Sequence, residues 1–202
     1  MTSAATIDAL GNKQSMAVQE LVRPDHAPIP AAQTLLNLGC GRKYRDGAVN
    51  LDIPSSDVRA DVWHDLNLRP WPFEENTFTE VVANDVIEHL RDIIPSMEEI
   101  HRICRPGAVV RMTLPHFSCA NSFTDPTHQH HFSLFSFDHV TEESGFYSTK
   151  RFRILHRHIV FKPTLINKLI WRLAKRNPAE YERRWAWMFP AWYLYFELEV
   201  VK

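Results

Sequence analysis

The stretch Thr34–Asp52 constrains this chain more than any other. Thr34-Leu35-Leu36-Asn37-Leu38-Gly39-Cys40-Gly41 leads through a short polar turn into Ala48-Val49-Asn50-Leu51-Asp52. Two apolar runs punctuated by glycine read as buried strands, the second ending in a carboxylate. Glycines let backbone N–H groups approach a ligand closely, and a carboxylate beyond the next strand can accept from ribose hydroxyls. Alone, Gly39-Cys40-Gly41 is a common turn. Whether it serves a nucleotide-like ligand depends on what the other strands carry.

The 202 residues, 45% hydrophobic and 23% charged, suffice for one domain with a sizeable core. No apolar run reaches the ~18 residues of a membrane-spanning helix, and residues 1–30 lack a signal peptide's apolar centre. Cys40, Cys104 and Cys119 are odd in number and form no C-x-x-C pair. Free thiols in a reducing, cytoplasmic setting are therefore expected. Charge is uneven: residues 1–145 hold 11 Lys and Arg against 20 Asp and Glu, whereas residues 146–202 hold 12 against 4. Either the two parts attract each other or the basic part faces an acidic partner.

Along the chain, 1–30 reads as an N-terminal extension with a weak helix near Ala17–Val22 and a proline-rich linker. Residues 31–202 read as a single domain. Strands are predicted at 34–39, Ala48–Ile53, Ala60–Asp65, Glu80–Asn84, Ala108–Leu114, Phe152–Phe161 and Tyr193–Val201. Helices are predicted at Ser96–Cys104, with Ser96 as N-cap and Arg105-Pro106-Gly107 as the stop, and at Asp138–Ser144, Thr164–Arg176 and Pro178–Met188. Residues 115–137 form a polar, aromatic insertion, and 162–192 a helical, aromatic segment. Strands alternating with helices predict a doubly wound, Rossmann-like α/β sheet. Only about seven residues, Gly41–Gly47, join the first two strands, and about six join the next pair. A crossover with its helix needs at least ~10–12, so the first crossover helices should be shortened or absent. One sheet face then needs cover from residues 1–30, the C-terminal helices or a second copy in a homodimer.

In open parallel sheets ligands sit beyond the carboxyl ends of the strands. Those ends carry Gly39-Cys40-Gly41, Asp52-Ile53, Asp65-Leu66, Asn84-Asp85 and Pro115-His116. Five such ends in register are a stronger signal than one turn. Asn37-Leu38-Gly39-Cys40-Gly41 resembles the first motif of class I S-adenosylmethionine-dependent methyltransferases. His64-Asp65-Leu66 with Trp71-Pro72-Phe73-Glu74-Glu75-Asn76-Thr77-Phe78 resembles their next segment. Val86-Ile87-Glu88-His89-Leu90 is similar to their "LEH" turn, and Glu99–Gly107 to their helix end before the fifth strand. Asp125-Pro126-Thr127-His128, after Pro115-His116, resembles a subset found in cell-surface polysaccharide pathways.

The resemblance implies a class I sheet, mostly parallel with an antiparallel last strand, and S-adenosylmethionine as cofactor. It implies that Asn37, Gly39, Cys40 and Gly41 admit the cofactor's amino-acid end and that Asp52 takes the ribose hydroxyls. Asp65 would face the adenine amino group while Ile53 and Leu66 pack the ring. Asn84, Asp85 and His89 would line the sulfonium end. Two departures stand out: the third glycine falls at Gly47, and Asp52 follows Gly39 by 13 positions rather than the ~20 of a dinucleotide site.

His116, Asp125, His128, His130 and His131 crowd just past the fifth strand. Three readings stay open. His128 or His116 is a general base, with Asp125 in the same catalytic group; His116, His128 and His130 hold a metal; or they close turns. The expected chemistry is methylation, on oxygen, of a small-molecule, saccharide-like or lipid-linked acceptor. The alternatives are an S-adenosylmethionine-binding assembly subunit without catalysis and a metal-dependent enzyme built on the histidines. The basic, amphipathic Thr164–Arg176 suits peripheral contact with an anionic membrane. Asn84-Asp85-Val86-Ile87 lacks the Asn/Asp-Pro-Pro-aromatic signature of nucleic-acid amino-methylation, which argues against a nucleic-acid partner.

Overall fold

The computed structural model describes residues 34–141, 147–162 and 164–202. The expected Ala17–Val22 helix, the linker, and 142–144 of the expected Asp138–Ser144 helix lie outside them. Seven strands form one sheet: β1 (Leu35–Leu38), β2 (Val49–Asp52), β3 (Val62–Trp63), β4 (Phe78–Asn84), β5 (Cys104–Pro115), β6 (Arg151–Val160) and β7 (Tyr193–Val201). Their order is β3-β2-β1-β4-β5-β7-β6. β1 to β5 pair in parallel, and β7 runs antiparallel between β5 and β6.

Side-chain alternation gives the sheet two unlike faces. Leu36 pairs with Val49 and Val81, Val81 with Val110, and Val110 with Leu198, so one apolar row crosses five strands. All five are buried. One residue along, Val82 pairs with Arg111 and Arg111 with Glu197. There Arg111 bridges Glu80 and Glu197 as a polar ladder.

Among the described residues, the one α-helix in the parallel crossovers is α1 (Ile93–Ile103), whose Met97, Ile100 and Ile103 join the core beneath the apolar face. The short early connections therefore run without helices, as their lengths required. In place of a helix, the buried Asn50 side chain ties the loops down. Its Oδ1 accepts from Asn37 Nδ2 and from the Arg45 N–H, both at 2.9 Å, and its Nδ2 donates to Asp61 at 2.9 Å.

α1 starts earlier than expected, at Ile93, because Pro95 in the first turn needs no N–H partner there. Ser96 is not the cap; its hydroxyl donates to the Asp92 carbonyl and accepts from Arg69. The helix ends directly in β5, so Arg105-Pro106-Gly107 lies at the strand's start, with Gly107 at φ +77°. β3 is shorter than expected. Glu99 pairs with Arg102 and accepts from the Trp71 N–H at 2.8 Å, while Arg102 donates to the Trp71 and Phe73 carbonyls. This pins the loop before β4 onto α1.

The C-terminal part departs from its expected second helix. Helix α2 (Leu165–Arg176) is capped by Thr164, whose Oγ1 accepts from the Asn167 N–H. Pro178–Glu180 then makes one helical turn, and Tyr181–Trp185 widens to a π turn. The buried Tyr181 donates its hydroxyl to the Phe189 carbonyl at 2.8 Å, fixing the chain before β7. Of Asp138–Ser144, residues Asp138–Val140 form a 3-10 turn.

Candidate functional site

The carboxyl ends of β1 to β4 open on a cleft of about 860 Å³, within the size range of small-molecule sites. Its first wall is the turn after β1. Gly39 and Gly41 adopt φ of +57° and +51°, a region that favours glycine. A Cβ on Gly39 would stand 2.5 Å from Val86 Cγ2, whereas one on Gly41 would meet nothing within 4 Å. The first glycine thus lets two chain segments touch, and the second leaves room.

Asp52 ends β2 and takes the Gly41 N–H on Oδ2 at 2.5 Å and the Ile53 N–H on Oδ1 at 2.8 Å. Each oxygen retains capacity for another donor. Ile53 is 55% exposed beside it. Asp65 Oδ1 accepts from the backbone and side chain of Asn67 at 2.9 and 3.0 Å. At the end of β4, Asp85 is held at φ +58°, and its buried Oδ1 has no hydrogen-bond partner. Its Oδ2 lies 3.5 Å from Lys43 Nζ. A non-glycine residue in that conformation stores strain of order 1–3 kcal/mol, which a rigid surrounding must hold.

Of the eleven residues expected around the cofactor, Gly39, Gly41, Asp52, Ile53, Asp65, Leu66, Asp85 and His89 line this one cleft. Asn37, Cys40 and Asn84 are not among its lining. Asn37 donates to the Lys43 carbonyl and to Asn50, and Asn84 Oδ1 accepts from Thr113 at 3.0 Å. The Cys40 thiol points to the Arg59 carbonyl; burial, reinforced by Asp52, pushes it up to about 11, so it stays a neutral thiol.

The opposite wall joins the 3-10 turn Ile87–His89 to the segment Pro126–Gln129. The backbone N–H of Gln129 donates to the Glu88 carbonyl at 2.8 Å, and its side chain donates to the His89 carbonyl at 3.1 Å. Glu88 is buried, and burial pushes its carboxyl up to about 7, with Asp85 and Asp125 adding in the same direction. His89 is moved down by burial and by His128, whose ring stands 4.6 Å away, edge-on. Asp125 accepts from the Thr127 hydroxyl at 2.6 Å.

The histidines that crowd in sequence separate in space. His116 is fully buried: Nδ1 accepts from the Ser118 N–H at 3.1 Å, and Nε2 meets Glu182 at 3.1 Å. His130 Nε2 bonds to the Arg91 carbonyl, and His131 to Ser122. His116 and His130 do not join His128, whose Nε2 instead lies 4.0 Å from Glu88. Glu88 and Thr127 join this wall without having been expected at the site. The signal available was Glu88 adjoining His89 in the turn after β4.

Residues 48–112 match a family model described as a methyltransferase domain. No match is found among curated proteins. An S-adenosylmethionine-dependent methyltransferase from Mesorhizobium loti superposes with a TM-score of 0.54 at 14% identity, covering 91% of this chain and 96% of that one. The [4+2]-cyclase SpnF gives 0.56 at 17% identity, over 94% and 80%. Phosphoethanolamine N-methyltransferase 2 of Haemonchus contortus, in complex with S-adenosyl-L-methionine, gives 0.51 at 14%, over 94% of this chain and 53% of that one. At such identities these likenesses speak for the fold. With five parallel strands, an antiparallel β7 and a cleft at the strand ends, the chain has the class I fold of S-adenosylmethionine-dependent methyltransferases, and its residues 48–112 match the methyltransferase-domain model.

Proposed function

We propose that the cleft binds S-adenosylmethionine and that the protein methylates an oxygen of a small, saccharide-like acceptor. The observation that carries this is the convergence of Gly41, Asp52, Asp65 and Asp85 on one cleft from four different strand ends. The residues fit the cofactor. Gly41 leaves open space beside backbone N–H groups, Asp52 keeps acceptor capacity for ribose hydroxyls, and Asp65 can accept from an adenine amino group. Ile53 and Leu66 offer apolar surface to the ring, and the unpaired Asp85 oxygen offers negative charge to a sulfonium. When bound, the cofactor supplies an electrophilic methyl group. The chain's own contribution is to orient it and to close the acceptor side with Pro126–Gln129. Calorimetric titration of the full chain with S-adenosylhomocysteine should show one site, and labelled methyl should appear on hydroxylated sugars. Binding without transfer to any acceptor would favour the assembly-subunit reading, and absence of binding would overturn both.

A second surface bears on where the acceptor resides. No helix is long and apolar enough to cross a membrane among the described residues. Yet α2 buries only Ile170 and Ala174 and leaves Leu165, Ile166, Leu169 and Leu173 exposed, with Trp187 and Met188 nearby in sequence. In the helical projection Lys168 and Arg172 run along one edge of this apolar stripe, and Arg176 lies in line with it at the helix's C-terminal end. Basic groups beside an exposed apolar face complement anionic headgroups over acyl chains. We infer that α2 rests on an anionic lipid surface, which suits a lipid-linked acceptor. Replacing Leu165 and Leu169 together by Asp should cut sedimentation with phosphatidylglycerol vesicles at least tenfold, since each buried Leu contributes about 1.5–3 kcal/mol. Equal sedimentation of both proteins, or a dimer that buries this face, would remove the reading.

A further inference from the structure

Among the described residues, one group of three candidate ligands has its donor atoms within 4.8 Å of one another: Glu88, His89 and His128. Glu88 is 1% exposed, and neither of its carboxylate oxygens has a hydrogen-bond partner. Buried carboxylates in native proteins are almost always paired, because an unpaired one forfeits its hydration without return. The nearest imidazole nitrogen, His128 Nε2, is 4.0 Å away, too far for a hydrogen bond.

The two imidazoles are oriented from behind. The Thr127 hydroxyl donates to Asp125 at 2.6 Å, so its oxygen is free to accept the Nδ1–H of His89 at 2.9 Å. That bond leaves the lone pair of His89 on Nε2. The Nδ1 of His128 faces the Ser122 carbonyl at 3.4 Å, an acceptor only, which leaves its lone pair on the Nε2 that faces Glu88. A hydroxyl held by Asp125 thus stands behind one ring and a backbone carbonyl behind the other, and acceptors behind the ring are the usual outer support of metal-bound histidines. A third buried carboxylate oxygen without a partner, Oδ1 of Asp85, lies on the residue three positions before Glu88.

We propose that Glu88, His89 and His128 form a binding site for a divalent first-row transition cation on the acceptor-side wall of the cleft. Two imidazoles and one carboxylate suit manganese, iron, cobalt or zinc better than magnesium or calcium. Ligands about 2.1 Å from such an ion stand roughly 3–3.5 Å apart, so the observed separations need to close by about an ångström. Three protein ligands leave coordination positions open to an oxygen of a bound molecule. Because His89 also lines the cleft, those positions adjoin the space left for an acceptor. The inference goes beyond methyl transfer, since the cation's site needs no cofactor.

The test uses the full chain, stripped with chelator and dialysed, then titrated with cobalt(II) chloride and followed by visible absorption. One cobalt per chain is expected, displaced by zinc. Glu88→Gln and His128→Asn should each weaken uptake at least tenfold, and Thr127→Val by about tenfold through the His89 contact. His130→Ala should change nothing. Circular dichroism and S-adenosylhomocysteine binding, measured on each variant, report folding and the cofactor site separately. Absence of cobalt and zinc uptake by the wild type, or wild-type affinity in folded Glu88→Gln and His128→Asn, overturns the site, whether or not the cofactor binds.

Discussion

Asp52→Ala is expected to lower affinity for S-adenosylhomocysteine by roughly 30- to 100-fold. Asp52 is fixed before any ligand arrives, because the Gly41 and Ile53 N–H groups each hold one of its oxygens. A preset carboxylate loses little freedom when a ribose diol donates to it. Hydrogen bonds to a charged acceptor are worth about 1.5–3 kcal/mol; about 2–3 kcal/mol of loss corresponds to the stated factor. Asp52→Asn, which keeps one acceptor oxygen, should fall between the two. Calorimetry on the three proteins, with thermal melts to verify folding, decides it. Affinity unchanged in Asp52→Ala would remove the ribose role from this residue.

Gly39→Ala should cost about 3 kcal/mol of folding stability, or prevent folding altogether. Its φ of +57° charges any L side chain about 1–2 kcal/mol, and its Cβ would collide with Val86 at 2.5 Å. Overpacking of that kind adds about 1–3 kcal/mol. Gly41→Ala has a similar φ but open space around the Cβ, so it should cost about 1 kcal/mol while weakening ligand binding. Combining Gly39→Ala with Val86→Ala should recover part of the loss. Urea denaturation of the four proteins makes the comparison, and equal destabilisation by the two glycine variants would refute the packing argument.

What could be read from the sequence was what repeats or terminates locally. β7 alternates cleanly, and its bounds, Tyr193–Val201, are those its pattern predicted. The short link after Gly41 foretold the missing helix, because chain length alone forbids one. What replaces that helix was not legible. Asn50 reads as an ordinary strand polar residue, and only the fold brings Asn37, Arg45 and Asp61 to it. Glu88 was likewise hidden, since a glutamate in a turn reads as solvated until Pro126–Gln129 covers it. The histidines misled in the opposite sense. Closeness in sequence suggested a cluster, but a loop rich in turns sends His116 inward to Glu182 and His130 to Arg91, and leaves His128 with His89. The π turn at Tyr181 follows from one buried side chain seeking a carbonyl, which periodicity cannot register.

The place of β7 between β5 and β6 has a consequence for synthesis. β5 is translated long before Tyr193, and β6 some thirty residues before it, yet their neighbouring edges have no partner until Tyr193–Val201 have emerged. During that interval both strands present open backbone donors and acceptors to any extended chain nearby. A nascent chain halted before residue 193 would therefore hold a nearly complete cleft on β1 to β4 beside an unprotected sheet edge. The ligand half can form early, but freedom from aggregation comes only with β7.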